Sequence, residues 1–191
     1  MISAIVLAAG TSSRFGRTKQ LVEVGGTPMV QHAVDAAIDG GVDDIVVVLG
    51  HDAEAVRGAL RLPPHARAVV NPDFELGQAT SLAVGLEAAE PASEGAVILM
   101  ADQPGIAGAH VRALMDAFVT DPAPIVRLRF RDGPGPALLS REVWDRARTL
   151  TGDAGARQLI AARPELVMEV FVDEDAPPDV DVPEDLGRSE D

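Results

Sequence analysis

The sequence predicts an α/β protein, a Rossmann-like three-layer fold with a mostly parallel sheet covered by helices on both faces. Three short apolar runs and the amphipathic patterns between them carry that prediction. "SAIVLA" (Ser3 to Ala8), "DIVVVLG" (Asp44 to Gly50) and "GAVILMA" (Gly95 to Ala101) are continuous, rich in branched side chains and closed by turn residues. Runs of that kind suit strands buried on both faces. After the first run, Thr27 is positioned to cap a helix with Pro28 in its first turn. Val30, Ala33, Val34, Ala37 and Ile38 then share one face, and Gly40-Gly41 stops it. A second helix aligns Leu82, Leu86 and Ala89 and ends before Pro91, and a third aligns Val111, Leu114, Met115 and Phe118. "APIVRLRF" and "ELVMEVFV" read as later strands, "REVWDRARTL" and "DAGARQLIAAR" as helices. From Asp173 the chain turns acidic and proline-rich, which composition alone reads as a solvated tail.

Composition bounds the function. A chain of 191 residues with 47% hydrophobic side chains buries one good core, so a single domain is expected. Aromatic residues are only 3%, which leaves few platforms for stacking bases. A formal charge of -14 repels phosphate backbones and anionic lipid, against a general nucleic-acid or membrane-surface binder. Without cysteine there is no disulfide framework, thiolate metal site or thiol nucleophile. The start "MISAIVLAAG" has no basic leader and no apolar run approaches the roughly 20 residues of a membrane span, so a cytoplasmic protein is expected. His32, His51, His65 and His110 show no ligand spacing.

In open parallel sheets ligands bind beyond the carboxyl ends of the strands. "GTSSRFGRTK" leaves the first strand there, and "DQP" (Asp102 to Pro104) leaves the third run in the same way. The small residues Ala8, Ala9 and Gly10 let backbone N–H groups approach an anion, and Ser12, Ser13, Arg14 and Lys19 add donors. Neither a P-loop nor a G-x-G-x-x-G dinucleotide fingerprint is present. The residues alone leave two readings, a phosphate cradle or a solvated glycine turn. Lys19 is the chain's single lysine. Gln78 to Ser81 precede the Leu82 helix, so they either face a nucleotide or simply cap the helix through Thr80 or Ser81.

"LAAGTSSRFGRTK" resembles the L-A-A-G-x-S-x-R-x-G-x-x-K opening of nucleotidyltransferases, in particular the molybdenum cofactor cytidylyltransferase group of the molybdopterin-guanine-dinucleotide-synthase-like family. "NPDFELGQATSLAVGL", "LMADQP", "GDAGARQLI" and "DVDVPEDL" resemble further segments of that group, in order along nearly the whole chain. The resemblance implies a nucleotidyltransferase domain over 1–186 and an acidic tail over 187–191. It implies nucleotide binding by Leu7, Ala8, Ala9, Gly10, Ser12, Arg14, Lys19, Gln78, Thr80 and Ser81, with Arg14, Lys19 and Asp102 catalytic. It further implies Mg²⁺ on Asp102 and Asp181, the latter moving part of the apparent tail into the active site. The implied reaction transfers CMP from CTP to the phosphate of molybdenum-molybdopterin with release of pyrophosphate, in the service of a molybdoenzyme client. Rival readings are transfer from GTP or another nucleotide to a different phosphorylated acceptor, and a nucleotide-binding maturation factor without catalysis. Some relatives are named as nicotine-blue-type oxidoreductases, for which no fingerprint is visible. Two departures stand out: Val182 where relatives carry Thr, and Gly135 where an R-G-H/N-P loop near the acceptor carries His or Asn. "GDAGAR" either places Asp153 as a helix cap or brings Arg157 to the acceptor, and the sequence leaves both open.

Overall fold

The computed structural model describes residues 1–12, 15–180, 182 and 185. Its centre is the first apolar run, strand β1 (Ile2–Ala8), in which every residue is buried. Continuous branched side chains fit this position because both faces are covered: Ala4, Val6 and Ala8 face one helical layer, Ile5 and Leu7 the other. A short antiparallel hairpin, β2 (Glu23–Val24) and β3 (Thr27–Pro28), precedes helix α1 (Met29–Gly40). Thr27 therefore does not cap that helix. It lies in extended backbone, and the N–H of Met29 is satisfied by the carbonyl of Val22 at 2.8 Å. The helix stops at Gly41, in the left-handed region, where the glycine pair predicts.

Strand β4 (Asp44–Leu49), helix α2 (Ala53–Ala59), strand β5 (Ala66–Val70), helix α3 (Gln78–Ala88), strand β6 (Gly95–Met100) and helix α4 (Gly108–Thr120) follow. Then come β7 (Ile125–Arg129), β8 (Pro134–Ser140), α5 (Trp144–Arg148), α6 (Gly155–Ala162) and β9 (Val167–Phe171). The sheet order is β5-β4-β1-β6-β8-β7-β9, with all neighbours parallel except β8, which runs against both β6 and β7. One layer, with α1 and α4, packs on Val6, Val47 and Val97; the other, with α3, α5 and α6, packs on Ile5, Val48 and Ile98. The mostly parallel, three-layer α/β fold expected from the sequence is thus observed. Between β1 and β6 the strand order reverses direction, and the crevice at their carboxyl ends opens there. Among the described residues no helix is long and apolar enough to cross a membrane.

The segment from Asp173 departs from the solvated tail that composition suggests. Residues 173–180 form a strap back across the carboxyl end of the sheet. The Glu174 carbonyl accepts from Arg131 N–H at 2.9 Å, and Asp132 accepts from Ala176 N–H at 2.7 Å. Gln103 donates to Asp179 at 2.7 Å, and the Val180 N–H donates to the Asp102 carbonyl at 2.9 Å. Val180 is fully buried in a satellite cluster with Phe15, Val22, Val24 and Met29. One apolar side chain seated in a pocket, with backbone partners on either side, outweighs the acidic composition around it. Residues 187–191 lie outside the described residues.

Candidate active site

The carboxyl end of β1 leads into the glycine-containing loop, and the buried amide of Gln20 sets that loop's shape. Gln20 Nε2 donates to the carbonyls of Ala8 and Gly10 at 3.1 and 2.9 Å, and its Oε1 accepts from Ser12 Oγ at 3.1 Å. Ser12 Oγ in turn accepts from the Lys19 N–H at 3.0 Å. With its proton on Gln20, the Ser12 hydroxyl closes the loop upon itself, and the residue has a positive φ of 55°. Lys19 begins the turn of 3₁₀-helix Lys19–Leu21, and its Nζ pairs with Asp102 Oδ2 at 2.9 Å across 83 positions of sequence. Asp102 stands in the turn after β6, so β1 and β6, adjacent and parallel, deliver the two charges to one mouth.

These groups open on a cavity of about 390 Å³. Of the residues predicted to bind nucleotide, Leu7, Ala9, Gly10, Ser12, Lys19, Gln78 and Ser81 line it, as does Asp102. Ala8 contributes its carbonyl to Gln20 and does not line the cavity, and Thr80 stands behind the wall. Thr80 Oγ1 accepts from Asn71 Nδ2 at 2.9 Å and faces the Gly77 carbonyl at 2.8 Å. The buried Asn71 also donates to Ser81 Oγ at 3.0 Å, leaving the Ser81 proton to offer. Arg14, Ser13 and Asp181 lie outside the described residues.

The site contains residues that sequence reasoning missed. Phe74, Glu75 and Gly77 line the same cavity, with Gln20, Met29 and Met100. In a chain with five Phe, one placed in the turn-rich "NPDFELG" rather than in an apolar run was the available signal. Gly77, at φ 112°, lets the α3 loop press on the loop before α6: a Cβ there would meet the Gly152 carbonyl carbon at 2.5 Å. A Cβ on Gly155, at φ 46°, would meet Gln78 Oε1 at 2.5 Å. The "GQATSL" and "GDAGAR" segments therefore form one wall. Asp153 does not cap α6, whose N-cap is Ala154; it lies before that helix and lines the first cavity, while Arg157 lines a second. The second cavity, of about 270 Å³, adjoins the first across Leu7, Gln78 and Met100.

The first cavity's electrostatics are unusual for an anion site. Its described charged lining residues are Lys19 against Asp102, Glu75 and Asp153. Among the described residues no group of three or more His, Asp or Glu gathers into a metal cage.

Comparison with known proteins places this geometry. The chain is 32% identical to nicotine blue oxidoreductase of Paenarthrobacter nicotinovorans over 198 aligned residues, 98% of this chain and 95% of that one. It is similar to the crystal structure of Rv0371c from Mycobacterium tuberculosis H37Rv, at 33% identity and TM-score 0.87 over 99% of this chain and 96% of that one. A manganese complex of Rv0371c superposes with TM-score 0.85 at 33% identity, over 99% and 97%. The model of the MobA-like NTP transferase domain matches residues 4–167, from β1 to the start of β9. The chain belongs to the MobA-like NTP transferase domain family and is a nucleotidyltransferase of that family.

Proposed function

We propose that this protein transfers CMP from CTP to the phosphate of molybdopterin carrying molybdenum, releasing pyrophosphate. The observation that carries the reading is the pair of adjoining cavities. One is polar, at the glycine loop and the Lys19–Asp102 pair; the other is more apolar and holds two arginines; they share Leu7, Gln78 and Met100. A transfer between two anionic reactants needs such a junction, where nucleophile and α-phosphorus meet in line. An oxygen of the acceptor phosphate bonds to the α-phosphorus as the bond to the bridging oxygen breaks, and that electron pair leaves with pyrophosphate. Backbone N–H groups of the Ala9 to Ser12 loop, held by Gln20, face the triphosphate, and the Lys19 ammonium follows the oxygens whose charge grows. Arg14 is assigned to the phosphates with it. The Leu-Ala-Ala-Gly opening favours CTP over GTP.

The carboxylate-rich wall fits a divalent cation. A triphosphate beside Asp102, Glu75 and Asp153 meets repulsion that one ammonium does not offset. A site with one or two carboxylates suits a metal that takes its remaining ligands from phosphates and water, as Mg²⁺ does. Asp102 and Asp181 would hold it, and bound Mg²⁺ would polarise the transferred phosphoryl group. Support for Asp181 comes from its neighbour Val180, whose N–H is bonded to the Asp102 carbonyl at 2.9 Å. The manganese complex of Rv0371c supports a divalent ion in such a fold.

A second reading, an oxidoreductase of nicotine-blue type, is favoured by the likeness to nicotine blue oxidoreductase and by the more apolar second cavity. Thermal shift with CTP, GTP, ATP, UTP and NADPH, with and without Mg²⁺, separates the two, together with pyrophosphate release. CTP with Mg²⁺ is expected to stabilise most. Equal stabilisation by GTP removes the cytidylyl assignment, and stabilisation by NADPH alone without pyrophosphate release favours the oxidoreductase.

A further inference from the structure

The first cavity holds an aromatic side chain, Phe74, to which the transfer chemistry gives no part. Across the carboxyl end of the sheet the pieces of the site follow the strand order β4, β1, β6, β8. Gly50 follows β4, the glycine loop leaves β1, Asp102 follows β6, and the second cavity opens over β6 and β8 through Ile98, Met100 and Ala137. Neighbouring strands lie about 4.8 Å apart, so the row spans about 10 Å from β4 to β6. Phe74 stands at the β4 end of it. A Cβ on Gly50 would meet Phe74 Cβ, Phe74 Cγ and the Ala9 carbonyl oxygen, each at 2.7 Å, so the aromatic side chain and the start of the glycine loop close on one point. Phe74 is half-buried and is the one aromatic among the described residues that line the cavity. The His51 ring, 6.3 Å away and tilted by 55°, is not stacked on it.

We infer that Phe74 is the platform on which the base of the donor nucleotide stacks. The inference rests on the transferase reading above and adds to it which end of the cavity takes the nucleoside. The direction follows from the junction. In-line attack requires the α-phosphorus at the wall shared with the second cavity, Leu7, Gln78 and Met100, while Lys19 and Asp102 keep the phosphates over β1 and β6. The nucleoside, bonded to that same phosphorus, is left the β4 end, where Phe74 offers an apolar face. The Ser81 hydroxyl, which accepts from Asn71 at 3.0 Å and keeps its own proton to donate, lines the same cavity and suits the polar edge of a base or a ribose. The scarcity of aromatics makes the placement informative. Of the five Phe, Phe15, Phe118 and Phe130 are buried in apolar clusters and Phe171 lies on the edge strand β9. Stacking accepts any base, so Phe74 supplies affinity for a nucleoside and leaves the choice between CTP and GTP to other groups. Gly50 completes the arrangement, since any side chain there would push Phe74 off the loop.

Two ligands separate the base from the phosphates: CTP and inorganic tripolyphosphate, each titrated calorimetrically with Mg²⁺ into the full chain. Wild type is expected to bind CTP the more tightly. Phe74→Leu keeps an apolar side chain and removes the ring. It is expected to weaken CTP binding about tenfold or more and to leave tripolyphosphate binding unchanged. Phe74→Trp is expected to retain CTP binding, with its added indole emission quenched by CTP and not by tripolyphosphate. That variant also carries the test if Phe74→Leu does not fold. Wild-type CTP affinity in Phe74→Leu, or a Phe74→Trp emission that CTP leaves unchanged, overturns the inference. So does equal weakening of CTP and tripolyphosphate, which would mean that Phe74 only props the glycine loop. Failure of wild type to bind any nucleoside triphosphate would count instead against the transferase reading.

Discussion

Gln20 shows how one buried amide sets the geometry of an anion site. Its two donors and one acceptor bridge Ala8, Gly10 and Ser12, so the backbone N–H groups of the loop are aimed before any ligand arrives. Leucine has similar bulk and none of those bonds. Gln20→Leu should leave the carbonyls of Ala8 and Gly10 without their side-chain donor, costing about 1–3 kcal/mol in stability. It should also weaken CTP binding by about tenfold through a less ordered loop. Denaturant unfolding and CTP titration check the two effects; unchanged CTP affinity in a folded variant would show that the loop holds its shape without Gln20. The Lys19–Asp102 pair is the other residue-scale feature. It joins the two motifs that were recognisable in the sequence into one charged junction, which neither motif states alone.

At the scale of elements, the strap of residues 173–180 is the piece whose composition misleads. Its hold is local: backbone bonds to Arg131 and Asp102, a Gln103–Asp179 bond, and Val180 in the cluster with Phe15 and Met29. Val180→Ser puts an unpartnered hydroxyl into that cluster and removes apolar contact, a change of about 2–4 kcal/mol in docking the strap. Because the cluster lies outside the two main layers, global unfolding should shift less than the strap's own release. The expected result is faster proteolysis within 172–182 and a higher Mg²⁺ concentration for half-maximal activity, since Asp181 is proposed to act with Asp102. Proteolysis that rises while the Mg²⁺ dependence stays fixed would remove Asp181 from the metal site. Other elements were harder to read for related reasons. β8 contains "PGP" and reads as a loop, yet Pro134 stands at its start, where a missing donor is tolerated, and the strand continues through Ser140. β5 is an edge strand, only partly buried, so it lacks the continuous apolar run that marks β1, β4 and β6.

For the whole molecule, a charge of -14 on a single compact chain is a standing repulsion that folding concentrates. Salt bridges such as Arg67 with Asp44 and Arg131 with Asp175 relieve it locally, but carboxylates outnumber cations nearly two to one, 30 against 16. Raising KCl from about 0.01 to 1 M shortens the screening length from about 30 to 3 Å. The melting temperature is therefore expected to rise by several degrees over that range, and to rise most at the low end. A flat or falling melting curve would mean that specific ion pairs, which salt weakens, outweigh the net charge.

By itself the sequence determined the three buried strands, the helices between them and the glycine loop after β1, and it put Lys19 and Asp102 beyond the carboxyl ends of their strands. Apolar continuity, helical periodicity and contiguous motifs are local signals, complete within a dozen residues, and the fold class follows from their alternation. Trp144, in the "REVWDRARTL" segment that the sequence reads as a helix, is 1% exposed and donates its indole N–H to the Leu139 carbonyl at 3.1 Å. Only the tertiary structure decided that Gln20 shapes the loop, that Asp153 and Arg157 belong to different cavities, and that residues 173–180 return to Asp102. Each of these depends on one polar or apolar group meeting a partner brought near by the sheet order. A side chain's free energy in such a place is set by the partner it finds there, and no periodicity or composition in its own segment records which partner that is.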